Sequence, residues 1–217
     1  MLKIKEKLLN DEIVRIIGVG RLMHHNFVQM LGFQGGFDGV WFDHEHVGFG
    51  MEQLEIATLA ARSVGLENFV RIAPTDYATV TRSIESGGGG VMAAQIFTAA
   101  QAEQFVQWSK YYPRGNRGLN VGGVDGRFAS VSSAKEFCEQ SNRDTFVAIQ
   151  IETKQSVDEV DAIAAIDGVD LLFVGPADLS QSLGVTGEFF HADCIAAIDR
   201  VAAACKKHGK SWGAVTV

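Results

Sequence analysis

Residues 145–184 read TFVAIQIETKQSVDEVDAIAAIDGVDLLFVGPADLSQSLG. Two short apolar runs, Thr145–Ile151 and Leu171–Val174, flank Lys154–Ile166, whose apolar side chains recur at helical spacing. After the second run, Gly175-Pro176-Ala177 leads into another helix, with proline where a missing N–H costs little. Strand, crossover helix and strand form the unit from which parallel sheets are built. Both apolar runs lack the alternation of a strand with one wet face, so both faces are expected to be covered.

The same alternation extends outward. Further candidate strands are Ile13–Val19, Phe37–Phe42, Phe69–Ile72, Gly90–Ala94 and Ser211–Val217. Helical patterns lie at His24–Leu31, Met51–Val64, Asp76–Ser86, Ala99–Tyr111 and Ala192–His208. Pro113–Ser132 breaks the rhythm: it is rich in glycine and mixed in charge, so it reads as a long loop, with Ala134–Gln140 a helical addition. The glycine run 87–90 has no following G-K-[ST] and reads as a tight turn, not a phosphate loop. The implied fold is α/β, a (β/α)8 barrel of the TIM type lacking its last βα unit, since eight units take about 250 residues. The expected organisation is one barrel domain over residues 1–217, incomplete at its C-terminal end.

Composition narrows the partners. The chain is 47% hydrophobic and 21% charged, as in soluble globular proteins. A net charge of −7 disfavours nucleic acid and anionic membranes, whose phosphates such a field repels. Cys138, Cys194 and Cys205 are odd in number and lack metal-knuckle spacing, which suits reduced thiols in the cytoplasm. The amphipathic N-terminal MLKIKEKLLNDEIV carries acids, unlike a secretory signal. No apolar run reaches the roughly 18 residues of a membrane span.

In such a barrel, reactive groups gather past the C-terminal ends of the strands. The second candidate strand ends in Asp43-His44-Glu45-His46, the third at Arg71, the fifth in Gln150-Ile151-Glu152 and the sixth in Gly175-Pro176-Ala177-Asp178. Acid, base, cation and a carboxylate pair are thus expected on one rim. Glu152 and Asp178 suit a hard divalent cation, Mg²⁺ or Mn²⁺, with positions left for water and a bidentate 2-oxo acid. The structural alternative is that Asp178 caps a helix and Glu152 makes a surface ion pair. Asp43 and His46 suit a dyad in which the carboxylate orients the imidazole. Of His44 and Glu45, one is free to face the helical layer. Arg71 can neutralise charge growing on an enolate oxygen, or simply pair with a rim acid. Backbone N–H groups around Gly175 and Ala177 suit a carboxylate, or are no more than a strand-to-helix turn. No lysine ends a strand facing inward, which disfavours a Schiff base.

FDGVWFDHEH, NFVRIAPTD, YYPRGNRG, VAIQIET and LLFVGPADLSQSLG occur in one order over residues 37–184. Together they resemble the HpcH/HpaI aldolase family, related to citrate lyase β-subunits and malyl-CoA lyases. The resemblance implies a class II aldolase joining or splitting pyruvate and an aldehyde, with substrates such as 4-hydroxy-2-oxoheptanedioate or 2-dehydro-3-deoxyglucarate. It puts the metal on Glu152 and Asp178, with Mg²⁺, Mn²⁺ or Co²⁺ admitted. It implies Arg71 as enolate stabiliser and substrate contact, His46 with Asp43 as acid–base dyad, and Gln150 as a supporting polar group. Gly175 and Ala177 become donors to the pyruvyl carboxylate, Glu85 an acid reaching a neighbouring subunit, and the assembly a homo-oligomer, trimer or hexamer. The chain departs from the family at Ala94-Gln95, which replaces a proline-containing turn, at the richer glycine run, and in its missing last unit. The alternatives are a carbon–carbon lyase for acyl-CoA or dicarboxylates, and a non-catalytic ligand-binding barrel.

Overall fold

Apolar runs become strands here where neighbouring segments cover them, and amphipathic segments between them become helices. The structure is a computed structural model that describes residues 3–216; Met1, Leu2 and Val217, the last assigned above to a strand, lie outside the described residues. In chain order the elements are α1 (Lys3–Leu9), β1 (Ile16–Val19), α2 (His25–Gln34), β2 (Gly39–Asp43), α3 (Met51–Ser63), β3 (Glu67–Ile72), α4 (Tyr77–Glu85) and β4 (Gly90–Ala93). There follow α5 (Ala99–Ser109), α6 (Ala134–Asp144), β5 (Phe146–Ile151), α7 (Lys154–Asp158), α8 (Val160–Ala164), β6 (Leu171–Val174), α9 (Pro176–Ser182), α10 (Ala192–His208) and β7 (Ser211–Ala214). This is an α/β fold with a seven-stranded sheet whose strand order follows the chain. The pairs β1·β2, β2·β3, β5·β6 and β6·β7 are parallel. Among the described residues no helix is long and apolar enough to cross a membrane.

Internal contacts divide the chain into two compact units. The first runs to Met92 and includes Gln107–Phe146. Its core holds Val40, Phe42, Leu54, Val70, Val80 and Ile84, all buried. The register of β2 on β3 sets Asp43 opposite Arg71 at the strands' C-terminal ends. The glycine run has two steric causes. Gly87 sits at φ 97, in the left-handed region that favours glycine. At Gly90 an added Cβ would fall 2.3 Å from the Phe146 carbonyl oxygen, closer than any carbon can stand. The stretch 113–132 forms neither helix nor strand, as expected, yet it is tied down. Arg117 within it is buried, bonds Asp125 at 2.5 Å and lies over the Tyr111 ring.

The second unit comprises Ala93–Val106 and the residues from Val147 onward. Ile149, Ile151, Ile163, Leu172, Val174, Leu179 and Val201 make its core. The segment read above as one helix, Lys154–Ile166, is two, broken at Glu159 (φ −97, ψ 7). The Glu159 carboxylate accepts the N–H of Ala99 at 2.6 Å, the first residue of α5, and so serves a neighbouring helix end. Helix α10 closes on Gly209 at φ 63 with Lys206, Lys207 and His208 in its last turn, which complements the helix dipole. Full coverage of every strand is not met: β7 alternates between partly buried and exposed residues, and in β1 only Val19 is buried.

Replacing Gly90 by alanine should destabilise the fold by about 1–3 kcal/mol or more, because backbone cannot yield as a side chain does. Chemical denaturation of Gly90→Ala checks this; an unchanged midpoint would contradict the close approach.

Candidate active site

Parallel pairing carries Asp43 and Arg71 to the ends of adjacent strands, and their side chains meet there. Arg71 Nε donates to Asp43 Oδ1 at 3.0 Å and Nη2 to Oδ2 at 2.8 Å, a two-pronged pairing that fixes the guanidinium plane. The Arg71 guanidinium carbon lies 4.5 Å from the centre of the Trp41 ring, and Glu45 Oε2 stands 3.3 Å from Nε. Arg71 is only 8% exposed. Its Nη1 has no hydrogen-bond partner among the described residues, so one edge of a rigidly held cation is left to meet an incoming anion. Burial pushes the Asp43 carboxyl up, but the Arg71 pairing and the N–H groups of Glu45 and His46 outweigh it. The net effect holds Asp43 below its ordinary range.

The expected Asp43–His46 dyad is not formed. Asp43 Oδ1 accepts the backbone N–H of His46 at 3.4 Å, not its imidazole. The acid beside the ring is Glu45, whose Oε2 lies 3.6 Å from His46 Nε2. The tight turn after β2 explains the exchange: Asp43 spends its oxygens on that turn and on Arg71, and the alternate residue reaches the imidazole. The His46 side chain is 60% exposed and can meet solutes. His44 faces the packed side, stacked on Phe49 at 4.6 Å.

In the second unit, β5 and β6 pair Ile151 with Val174, so Glu152 and Gly175 follow on adjacent strands. Glu152 is 0% exposed. Its Oε1 accepts from the Gln95 backbone N–H at 2.7 Å and from Gln95 Nε2 at 3.2 Å. Its Oε2 accepts from Gln150 Nε2 in a short contact. An added Cβ on Gly175 would stand 2.8 Å from both Glu152 Oε2 and Gln150 Nε2, so any larger residue there would have to displace these two side-chain ends. The Gly175 N–H is committed to the Ile151 carbonyl at 3.1 Å and is therefore not a donor for a ligand. Ala177, in the first turn of α9, keeps an N–H without a partner among the described residues. Asp178, next in that turn, is partly buried, and its carboxylate has no partner among the described residues.

This donor chemistry fits a hard divalent cation. Carboxylate oxygens are the preferred ligands of such ions, and the two oxygens of Glu152 together offer about four lone-pair sites that amides and a cation can share. Among the described residues no group of three His, Cys, Asp or Glu side chains is placed to hold a metal ion. Glu85 ends α4 and stands 4.0 Å from the Arg117 guanidinium of its own unit. Sequence reasoning missed Glu45 as the partner of His46, Trp41 beneath Arg71, and Gln95 as a donor to Glu152. The altered turn at Ala94-Gln95 was the one signal that could have found the last.

The family pattern described as HpcH/HpaI aldolase/citrate lyase matches residues 24–215. The chain is 34% identical over 185 residues to a 5-keto-4-deoxy-D-glucarate aldolase of Klebsiella pneumoniae, covering 85% of this chain and 71% of that one. It is 31% identical over 212 residues to a 4-hydroxy-4-methyl-2-oxoglutarate aldolase of Hapsidospora irregularis, covering 95% and 77%. Among solved structures, an HpcH/HpaI aldolase of Desulfitobacterium hafniense superposes with a TM-score of 0.92 at 27% identity. That match covers all of this chain and 83% of the other.

A carboxyl held below its ordinary value stabilises the fold above that value and stops doing so as pH falls through its folded value. Asp43→Asn should therefore be less stable than wild type at neutral pH, and the gap should close as pH drops below the ordinary 3.8. Denaturation midpoints from neutral to acid pH check this; a gap constant throughout would contradict the pairing.

Proposed function

The chain belongs to the HpcH/HpaI aldolase/citrate lyase family, and from that premise we propose that it is a divalent-metal-dependent aldolase. It makes or breaks the carbon–carbon bond between pyruvate, as its enolate, and an aldehyde, acting on 4-hydroxy-2-oxo acids. The observation that carries this reading is Glu152, a carboxylate with no exposed surface, gripped by Gln95 and Gln150 and closely approached by the backbone of Gly175. Burying a charge is costly, and hydrogen bonds return only part of that cost; a cation shared with Asp178 would return more. The two relatives described above are both named as aldolases, which points the same way.

Glu152 and Asp178 would hold Mg²⁺ or Mn²⁺, with Co²⁺ also suited to these oxygens. When bound, such an ion draws electrons from the keto oxygen of a 2-oxo acid and acidifies the adjacent carbon. In cleavage, His46 takes the proton of the 4-hydroxyl, and Glu45 steadies the imidazolium. The O–H pair becomes the aldehyde carbonyl, the bond between carbons three and four breaks, and its electrons pass to the enolate of pyruvate. The open edge of Arg71 meets the charge on the enolate oxygen, while Asp43 keeps the guanidinium in place. The Ala177 N–H receives the substrate carboxylate. A proton delivered to carbon three completes pyruvate. The finer fold reading is a single (β/α)8 barrel domain of which this sequence carries seven units. The protein is read as a cytoplasmic homo-oligomer, a trimer or hexamer. Large exposed apolar side chains such as Phe33, Tyr112 and Phe190 support association.

A retro-aldol assay on a panel of 4-hydroxy-2-oxo acids, following released pyruvate with and without EDTA, tests the proposal. Turnover should vanish with EDTA and return with Mg²⁺ or Mn²⁺, and Glu152→Ala and Asp178→Ala should each abolish it in folded protein. Activity indifferent to chelation, or a lysine adduct trapped by borohydride, would overturn it.

A further inference from the structure

Gln95 is held where few side chains go. It follows β4 by two residues, and its backbone sits at φ 55, in the left-handed region that non-glycine residues rarely adopt. That conformation coincides with its N–H meeting Glu152 Oε1 at 2.7 Å. The side chain then folds back so that Nε2 reaches the same oxygen at 3.2 Å. One residue thus sets two donors on one oxygen of a buried carboxylate, and leaves the other oxygen to Gln150.

The consequence is chemical. A carboxylate oxygen has two lone pairs in its plane, and on Oε1 both are taken by N–H donors. A cation meeting Glu152 is therefore met by Oε2 alone. Mg²⁺ and Mn²⁺ accept single-oxygen carboxylate contacts in an octahedral shell, whereas Ca²⁺ is larger, takes six to eight oxygens and readily draws both oxygens of one carboxylate to fill them. We propose that Gln95 is a specificity-determining positioning residue: by occupying Oε1 it enforces one-oxygen coordination by Glu152 and selects a small octahedral cation over Ca²⁺. This rests on the reading of Glu152 as a metal ligand. Gln95 touches the ligand and not the reacting atoms, so its effect is on which ion is held and how tightly. Partners of this kind typically change metal affinity by about 10–100-fold.

The test is direct titration of Mn²⁺, read by the loss of the free-ion electron paramagnetic resonance signal, with Ca²⁺ as competitor. Wild type is compared with Gln95→Gly and Gln95→Asn. Glycine fits the left-handed backbone and keeps the main-chain N–H, so it removes only the side-chain donor. Asparagine also tolerates that backbone, but its amide is one methylene shorter. Wild type should prefer Mn²⁺, and in both variants the ratio of Ca²⁺ to Mn²⁺ dissociation constants should fall by about ten-fold or more. Mn²⁺ binding by wild type with a ratio unchanged within about two-fold in both variants would overturn the role of Gln95 and leave the metal reading standing. Absence of Mn²⁺ binding by wild type would overturn the metal reading and this inference with it.

Discussion

A carboxylate with no access to water must be given its solvation by the protein. Glu152 imposes that constraint, and much of the second unit is arranged around it. Gln150 lies two residues earlier on β5 and turns its amide to the same carboxylate. Gly175, just past the adjacent strand, leaves room for these side chains, since a Cβ there would press on both of them. Gln95 accepts an unfavourable backbone conformation to bring its N–H to Oε1. Three features that look unrelated in the sequence meet at one buried carboxylate.

In the first unit the same kind of group does the opposite job. Asp43 is not kept for a ligand; both its oxygens are spent on Arg71, and one also holds the turn through the N–H groups of Glu45 and His46. What that spending secures is a guanidinium that cannot swing, backed by the face of Trp41 and open at one edge. A flexible cation would lose part of its attraction for a developing charge in ordering itself; a fixed one has already done so. The exchange of Asp43 for Glu45 beside His46 follows from this division of labour.

The strands were legible because their residues are nearly all apolar and each run is bounded by turn residues. The pairing of Asp43 with Arg71 was implicit in the same reading, since both close parallel neighbours. The break at Glu159 was not legible, because the contact that accompanies it, the Ala99 N–H on the Glu159 carboxylate, comes from sixty residues away in sequence. Glu45 was hidden by the turn after β2, where the strand's alternation no longer says which side chain faces which way. Gln95 was hidden for a different reason: its donor is mainly its backbone, and its conformation opposes its type. Sequence patterns report what side chains prefer, and a functional position held against preference escapes them.

The central claim is that Glu152 and Asp178 grip one cation. The most direct measurement is the anomalous difference density of a crystal soaked in Mn²⁺ at low chelator. The account requires one strong peak within bonding distance of a Glu152 oxygen and of the Asp178 carboxylate, absent from crystals of Glu152→Gln. A crystal whose Mn²⁺ sits elsewhere, or whose two carboxylates stand too far apart to share an ion, would contradict it.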